Sequence, residues 1–453
     1  MAAASAATDR LDPRWHWEDL SDHRAIVPDD QNAAPVVLET AKLLPENWPP
    51  QPPLEFPGAE EKTILDKLRE IDSGEPIGLD LIKTVRAELQ KVELALHTAH
   101  RLAAFRTGRY RDLSFEDYHF RTRVDHLHQC RQVANLLWLD ALMLAQEGKA
   151  QAALDSSRCL LIAGRSIGDE PGVIAHLIRN SCCQRTVLSI ERTLARGEPA
   201  EEDLAATQQL LEGEQAQNTL LMALRGQRAF QDQVMSWVDA DDRDRLDPGL
   251  GGNELARFSQ EHPRLMACGH WCMVGWLKEN HAVMLELTTE AVEIAKLPVD
   301  EQVERFEQLN RKARKVRSEG WPTLRYAFGS LGVPAVIKVA QSFARSRVEL
   351  RCAVAGLAAE RFRIAHGIWP KELDDLAPQF LTATPLDLFD GKQLKLRRFD
   401  DGMLIYSVGP DGADHGGKVN RKLSPSEPQD FGFRLWDVAR RRQDAKGGGL
   451  PRV

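Results

Sequence analysis

Apolar side chains recur every three or four residues from about residue 60 to residue 343. This is the spacing of a buried stripe on an α-helix, and Leu81, Val85 and Leu89 belong to one such stripe. Glycine and proline interrupt the pattern at intervals that leave helices of roughly fifteen to thirty residues. The sequence therefore predicts a mainly α fold, either an irregular helical bundle or an α-solenoid.

Two of the predicted helix breaks, at Gly148 and Gly197, have similar surroundings. At each of them a helix is followed by a glycine turn and then by a helix rich in Ala and Leu. This order resembles a tetratricopeptide hairpin, but the two glycines are 49 residues apart (197 − 148), whereas that repeat has about 34. The residues leave open both a repeat array and an irregular bundle.

Composition argues against several classes of protein. The net charge is −8 and Lys and Arg are scattered along the chain, whereas nucleic-acid-binding proteins concentrate basic charge on one face. No stretch has the roughly eighteen uncharged apolar residues of a membrane span. The expected location is cytoplasmic if the chain is complete, and the cell envelope if an N-terminal anchor is missing.

We predict four regions in the chain. Residues 1–58 form an extended, proline-rich lead-in, because proline fixes φ and removes a backbone donor. Residues 59–342 form an α-helical body, and residues 343–437 form a small C-terminal module. Residues 438–453 form a disordered basic tail, because chain ends rich in charge and glycine rarely pack.

The C-terminal module is predicted because the apolar period changes from 3.6 to 2 residues. A helix ends at Gly367, and residues 394–397, 403–406 and 431–436 then have the composition of three strands. Asp401-Gly402 is predicted to form a two-residue hairpin turn. The module is thus a small α+β unit, with one long helix and a three-stranded antiparallel sheet.

The loop before the third strand is rich in Asp and Gly. Asp411, Asp414 and Asp430 offer carboxylates, while the neighbouring glycines allow the backbone to turn its carbonyl groups inward. Calcium takes roughly six to eight such oxygen ligands, so these residues are candidates for a Ca²⁺ site. Asx-turns use the same residue types, and the loop composition by itself leaves that alternative open.

Several short motifs follow one another in the C-terminal module. They are His366-Gly367-Ile368-Trp369-Pro370, Pro385-Leu386-Asp387, Ser407-Val408-Gly409, Asp411-Gly412 and Asp430. Their order, over residues 345–437, resembles the globular part of the major pseudopilins of type II secretion systems. The resemblance implies a calcium site whose aspartates match Asp411 and Asp430, and Asp414 is added from its place in the loop.

The resemblance is incomplete. Leu388 stands where the family has a second proline, and Trp369 stands where it has tyrosine. The cleavable leader and hydrophobic assembly helix of the family have no counterpart in this sequence. The whole chain, a helical body followed by this module, resembles uncharacterised bacterial proteins that usually begin with a membrane anchor. We therefore expect the module to serve as a folded end-piece and not as a filament subunit.

Other motifs are predicted to be structural. His262, Cys268, His270 and Cys272 lie close together, but their spacing favours the core face of a helix over a zinc site. The segment Gly164-Arg165-Ser166-Ile167-Gly168 has the letters of a hydrolase nucleophile elbow, but a helical pattern precedes it where a strand is required. Polar helix surfaces are expected at His97, His100, His126, His128 and Cys130. No catalytic and no cofactor-binding residue is predicted.

The predicted function is that of a non-enzymatic interaction or scaffold protein with an unidentified protein partner. A calcium ion would stabilise its pseudopilin-like C-terminal module. Two alternatives stay open. One is an enzyme whose active site is assembled in a cleft of the helical body, and the other is a bacterial envelope protein without its membrane anchor.

Overall fold

The computed structural model describes residues 1–50, 62–110, 124–239, 263–319, 333–419 and 429–442. It describes the backbone alone at residues 237–239, 263–275, 277, 317–319 and 333. In this part of the chain the fold is mainly helical, with a small three-stranded antiparallel sheet near the C-terminus, as the sequence predicts.

The α-helices of the described chain are numbered here from α1 to α14. They are α1 (Ala2–Leu11), α2 (Trp17–Asp22), α3 (Ala34–Lys42), α4 (Ile64–Arg69), α5 (Leu79–Gln90), α6 (Glu93–His100), α7 (Asp125–Gln146), α8 (Ala150–Arg165), α9 (Val173–Arg196), α10 (Glu201–Gln215), α11 (Thr219–Asp239), α12 (Pro263–Lys296), α13 (Val299–Glu319) and α14 (Val333–His366). Among the described residues, no helix combines the length and the apolar character needed to cross a lipid bilayer.

The centre of the fold is formed by α7, α8 and α9, which pack against one another. Residues 132–143 of α7 are all buried, so this part of the helix has no face turned to solvent. Helices α8 and α9 approach closely at Gly164, because a Cβ atom there would lie 2.7 Å from the Cβ of Cys182. A helix that is largely apolar on every side is stable only when other elements surround it, and this places α7 in the middle of the body.

The prediction that residues 1–58 are extended is wrong where the structure describes them, because they contain α1, α2 and α3. Helix α1 packs against α12, and α3 packs against α7. Pro35 lies in the first turn of α3, where the backbone N–H that proline lacks would have no partner inside the helix. Trp15 is buried in one cluster with Leu285 of α12. Residues 51–58 lie outside the described residues.

The sheet consists of β1 (Lys395–Phe399), β2 (Gly402–Ser407) and β3 (Phe431–Trp436), in that order and with both pairs antiparallel. Helix α14 packs against β2 and β3 and runs through the predicted boundary at residue 343. It ends before Gly367, whose φ of +74° is the left-handed conformation that the sequence predicts there. The sheet lies close to α14 because Gly356 has no side chain to meet the ring of Phe433.

The hairpin turn between β1 and β2 lies one residue earlier than predicted. Phe399 pairs with Gly402, so the two turn residues are Asp400 and Asp401. Gly402 belongs to β2 and pairs with Trp436 of β3. Its φ is +151°, and a Cβ atom there would lie 2.8 Å from the Cα of Trp436. Because Gly402 has no side chain, β2 and β3 can approach each other closely at this point. The spacing of residues in the sequence does not predict this close contact.

The sheet and the helical body are joined by the buried carboxylate of Glu191 in α9. Its Oε2 accepts a hydrogen bond from Ser73 Oγ at 2.5 Å, and its Oε1 accepts one from the backbone N–H of Arg434 at 2.7 Å. Arg192, the next residue, donates to three carbonyl groups in residues 71–75. We call Glu191 with Ser73 and Arg434 the Glu191 joint. Through it, one turn of α9 holds both an early loop and the last strand, and body and module share one core.

The prediction of a disordered tail from residue 438 onward is wrong for residues 438–442. They form a short 3-10 turn and then pack on the body. Arg441 is buried, with its Nη2 at 2.7 Å from Glu360 Oε1 of α14 and its Nη1 donating to the carbonyl oxygen of Gly197 at 2.9 Å. Arg441 is ordered because the carbonyl group at the end of α9 and the buried carboxylate of Glu360 both require donors. Residues 443–453 lie outside the described residues.

Arg441→Gln removes a buried cation whose partner, Glu360, is itself fully buried. Because an uncompensated buried charge is costly, we expect the variant to lose about 3 kcal/mol of unfolding free energy. This value is at the low end of the range for breaking a buried ion pair, because Glu360 keeps a second cation, Arg363, at 2.8 Å. Urea denaturation followed by circular dichroism measures it.

The matched control is Arg440→Gln, because Arg440 is exposed in the same turn. The double variant Glu360→Gln/Arg441→Gln should recover part of the lost stability, since it removes both charges. Equal denaturation midpoints for Arg441→Gln and Arg440→Gln would contradict the structural role given to Arg441.

Candidate functional site

The Asp/Gly loop begins after β2 and is held at its far end by Asp430, directly before β3. The Asp430 carboxylate accepts three backbone hydrogen bonds, at Oδ1 from His415 at 3.2 Å and at Oδ2 from Gly417 at 2.6 Å and Lys418 at 3.1 Å. Burial raises the pKa of Asp430, although the three N–H groups stabilise its charged form. Asp430 therefore organises the loop through backbone contacts.

The other two predicted ligands have protein partners of their own. Asp411 Oδ1 accepts a hydrogen bond from the Ala413 N–H at 3.1 Å, and Asp411 Oδ2 lies 2.8 Å from His415 Nε2. Asp414 Oδ1 accepts a hydrogen bond from the Gly416 N–H at 2.8 Å. Both aspartates thus bond to the backbone two residues ahead, which is the Asx-turn arrangement that the loop composition left open.

The three carboxylates do not face a common centre in this structure. Across the described ranges, no group of three His, Cys, Asp or Glu side chains is arranged to hold a metal ion. Asp411 Oδ2 contacts His415 Nε2, and both oxygens of Asp430 accept backbone hydrogen bonds. The residues as arranged do not fit Ca²⁺, and calcium binding at Asp411, Asp414 and Asp430 stays a prediction.

A further carboxylate, that of Asp387, contacts the chain where β2 ends and the Asp/Gly loop begins. It is buried, and its Oδ1 accepts a hydrogen bond from Ser407 Oγ at 2.7 Å. Its Oδ2 accepts one from the Val408 N–H at 2.9 Å. The sequence places Asp387 in a motif but gives it no role. In the structure it anchors the end of β2, where the Asp/Gly loop begins.

Ser166 and Cys130 are both buried near the end of α8. Ser166 Oγ donates to the carbonyl oxygen of Ala163 at 2.6 Å and lies 2.8 Å from the Tyr110 hydroxyl. Ser166 follows the last residue of α8, which agrees with the helical pattern that the sequence shows before it. Cys130 Sγ donates to the same carbonyl at 3.2 Å, so the expected polar surface is wrong for Cys130, because α7 is enclosed by its neighbours. Of the four potential zinc ligands, His262 lies outside the described residues. The structure describes only the backbone of the other three, Cys268, His270 and Cys272.

A titratable cluster that the sequence does not reveal joins α6, α7 and α8. His100 Nε2 lies 3.1 Å from Asp140 Oδ2, which also accepts a hydrogen bond from Ser156 Oγ at 2.5 Å. Hydrogen bonding to Asp140, and then to Cys159, raises the pKa of His100 to about 10. Cys159 is fully buried, so its thiol is not open to a substrate in this structure. The cluster fixes the end of α6 to the body.

A second charge cluster lies where α8, α9 and α10 meet. Glu214 Oε2 lies 2.6 Å from Arg165 Nε, and Glu214 Oε1 lies 2.8 Å from Arg179 Nε. Burial alone would raise the pKa of Glu214, but the two guanidinium groups outweigh it and hold the pKa below its ordinary value. Glu214 and Arg179 contribute to the wall of a cavity of about 40 Å³ that apolar side chains such as Phe343 also line. No local pattern marks this site, because its charges come from three separate helices.

Comparison of the chain with protein-family models, with curated proteins and with solved structures gives no significant match. The fold and the contacts described above are therefore the basis for any statement about function.

Calcium binding at the Asp/Gly loop can be tested by melting the full-length protein in EGTA and in calcium. If the loop binds calcium, we expect calcium at a hundred times its Kd to stabilise the native state by about 2.7 kcal/mol. Asp411→Ala should remove this effect, because it deletes a ligand. Asp400→Ala, in the exposed hairpin turn, is the charge-matched control. Identical wild-type melting curves in EGTA and calcium would contradict the calcium site.

The His100 pKa of about 10 predicts a pH dependence of stability. Because the folded pKa lies above the unfolded value of about 6.5, the stabilisation is complete below pH 6.5 and is lost as pH rises towards 10. The unfolding free energy of wild type minus that of His100→Gln should therefore shrink over this range. His97→Gln, on an exposed position of the same helix, should show no such change. A constant difference for His100→Gln would contradict the interaction with Asp140.

Proposed function

We propose that this chain is a non-enzymatic scaffold protein that presents its helical body and its pseudopilin-like C-terminal module to a protein partner as one rigid unit. The observation that carries the proposal is the Glu191 joint. A scaffold has to keep surfaces from distant parts of the chain in fixed relative positions. Here a single buried carboxylate bonds a loop near residue 73 and a strand near residue 434.

The contacts around the joint support the same proposal. Arg196 donates to the Gly74 carbonyl at 3.1 Å, and Arg441 connects the end of α9 to Glu360 of α14. These bonds are charge-assisted and largely shielded from water, and such bonds are among the stronger hydrogen bonds in proteins. The polar side chains at the junction are thus used to fix the module against the body.

The resemblance of residues 345–437 to pseudopilins enters this proposal as an inference. It is supported by the order of a long helix followed by a three-stranded antiparallel sheet. It is also supported by Asp387 and Asp430, which hold the two ends of the Asp/Gly loop. In the proposal the module is an end-piece of the scaffold, and a calcium ion would be structural.

An enzyme in the helical body is less well supported. Cys159, His100 and Asp140 lie next to one another: the Cys159 thiol donates to the backbone carbonyl oxygen of His100 at 3.7 Å, and the His100 imidazole contacts the Asp140 carboxylate. A nucleophile has to reach its substrate, and the Cys159 side chain is fully enclosed by the body. The same contacts stabilise the packing of α6 on α7 and α8, which is the role we assign to them.

The scaffold proposal is tested by chemical cross-linking in the native host followed by affinity capture of the tagged full-length chain. Wild type and Arg440→Gln should retain the same partner protein at a constant molar ratio. Arg441→Gln should retain at least about threefold less, because it loosens the packing of the module at a temperature where all three proteins still show native circular dichroism.

Two outcomes would overturn the proposal. One is a wild-type chain that retains no protein above the level of an untagged control. The other is equal retention by Arg441→Gln and Arg440→Gln, which would show that partner binding does not depend on how the module is held.

A further inference from the structure

The two edges of the sheet differ in how they are covered. The outer edge of β3 faces the helical body, where the Arg434 N–H donates to Glu191 Oε1 at 2.7 Å. The opposite edge belongs to β1, which pairs with β2 alone. An edge strand presents a row of N–H and C=O groups, so an uncovered edge is a template for a further strand.

The register shows which backbone groups of β1 face outward. In an antiparallel pair, opposite residues alternate between hydrogen-bonded and non-hydrogen-bonded pairs. Phe399 and Gly402 close a two-residue turn as a hydrogen-bonded pair, and Arg397 forms the next such pair with β2. The N–H and C=O groups of Leu396 and Arg398 therefore point away from β2. Within the described chain, these four groups have no backbone hydrogen-bond partner.

The chain before β1 limits the length of the open edge. The N–H of Leu394 points in the same direction as those of Leu396 and Arg398, and it donates to the Pro385 carbonyl oxygen at 3.0 Å. The segment around Pro385 thus covers the beginning of the edge. An added strand could form up to four backbone hydrogen bonds with Leu396 and Arg398, so side chains have to supply the remaining affinity.

Two exposed arginines lie along the open edge, on opposite faces of the sheet because successive residues alternate. The guanidinium of Arg397 lies 5.1 Å from the ring centre of Phe399 and donates to the Gly416 carbonyl oxygen. The guanidinium of Arg398 lies 5.8 Å from the ring centre of Trp369. Across the described residues, neither guanidinium forms an ion pair with a carboxylate. Both charges are held in place and are available to an acidic ligand.

We infer that the open edge of β1 binds an extended, acidic segment of the partner protein as a fourth strand. Acidic side chains on the two faces of such a strand would reach Arg397 and Arg398. A second copy of this chain is disfavoured as the occupant, because it would bring arginine against arginine. The inference rests on the proposed scaffold function and deepens it by naming the chemistry of the partner.

The probe is a fluorescein-labelled synthetic peptide of alternating glutamate and valine, titrated with the full-length protein while fluorescence anisotropy is recorded. We expect saturable binding that weakens as the salt concentration rises. A peptide of alternating lysine and valine should not bind. The acidic peptide N-methylated at each residue keeps its charge but cannot donate backbone hydrogen bonds, so it should bind at least about tenfold more weakly.

Two variants at Arg398 separate charge from backbone pairing. Arg398→Gln removes one exposed charge and should weaken binding of the acidic peptide about threefold. Arg398→Pro removes the same charge together with the outward N–H, and it breaks no bond to β2, so it should bind at least about tenfold more weakly than wild type. Asp400→Asn removes an exposed acid from the adjacent turn and should not weaken binding. Circular dichroism checks that each variant is folded.

An acidic peptide that shows no saturable binding to wild type would overturn the inference. Equal affinities of the unmodified and N-methylated peptides would also overturn it, and this comparison uses wild type alone, whether or not Arg398→Pro folds. If folded Arg398→Pro binds as tightly as Arg398→Gln, strand addition is likewise contradicted. Affinity capture of a partner by the full-length chain would leave the scaffold proposal standing in each case, so the two proposals can fail separately.

Discussion

The structure depends on one buried carboxylate, that of Glu191. A carboxylate is stable away from water only when hydrogen-bond donors surround it, and here the donors are a serine in an early loop and the backbone of the last strand. Because α9 packs on α7 and α8 along its other faces, the same helix brings the central core, the loop and the sheet together. The apolar core supplies most of the cohesion, and the Glu191 joint decides how its parts are arranged.

Much of the fold could be predicted from local sequence. The 3.6-residue period gives the long helices, Gly367 gives the end of α14, and the change to a period of two gives the three strands. Predictions failed where a residue's role depends on a distant neighbour. Gly402 was placed in the turn because its packing partner Trp436 is 34 positions away (436 − 402). The N-terminal helices were missed because proline-rich sequence is compatible with helix starts as well as with extended chain.

At the candidate sites, too, the sequence could not predict contacts between residues that are far apart in the chain. The composition of the Asp/Gly loop correctly marks a segment organised by carboxylates, since Asp430 gathers three backbone N–H groups. Composition cannot say whether those oxygens face the backbone or a cation. The clusters at His100 and Glu214 have no signal in sequence at all, because their members lie on different helices. Pairing of charges across helices follows from tertiary packing, which single-sequence patterns do not contain.

The Glu191 joint also constrains when this protein can finish folding. Its two bonds span 118 and 243 positions along the chain, and closing such long loops costs conformational entropy before any contact is gained. During synthesis, α9 leaves the ribosome long before residue 434 has been added. Until then the Glu191 carboxylate lacks one of its donors and the core lacks the strand that covers it. A chain that stops short of the last strand therefore exposes apolar surface that a cell's chaperones and proteases recognise.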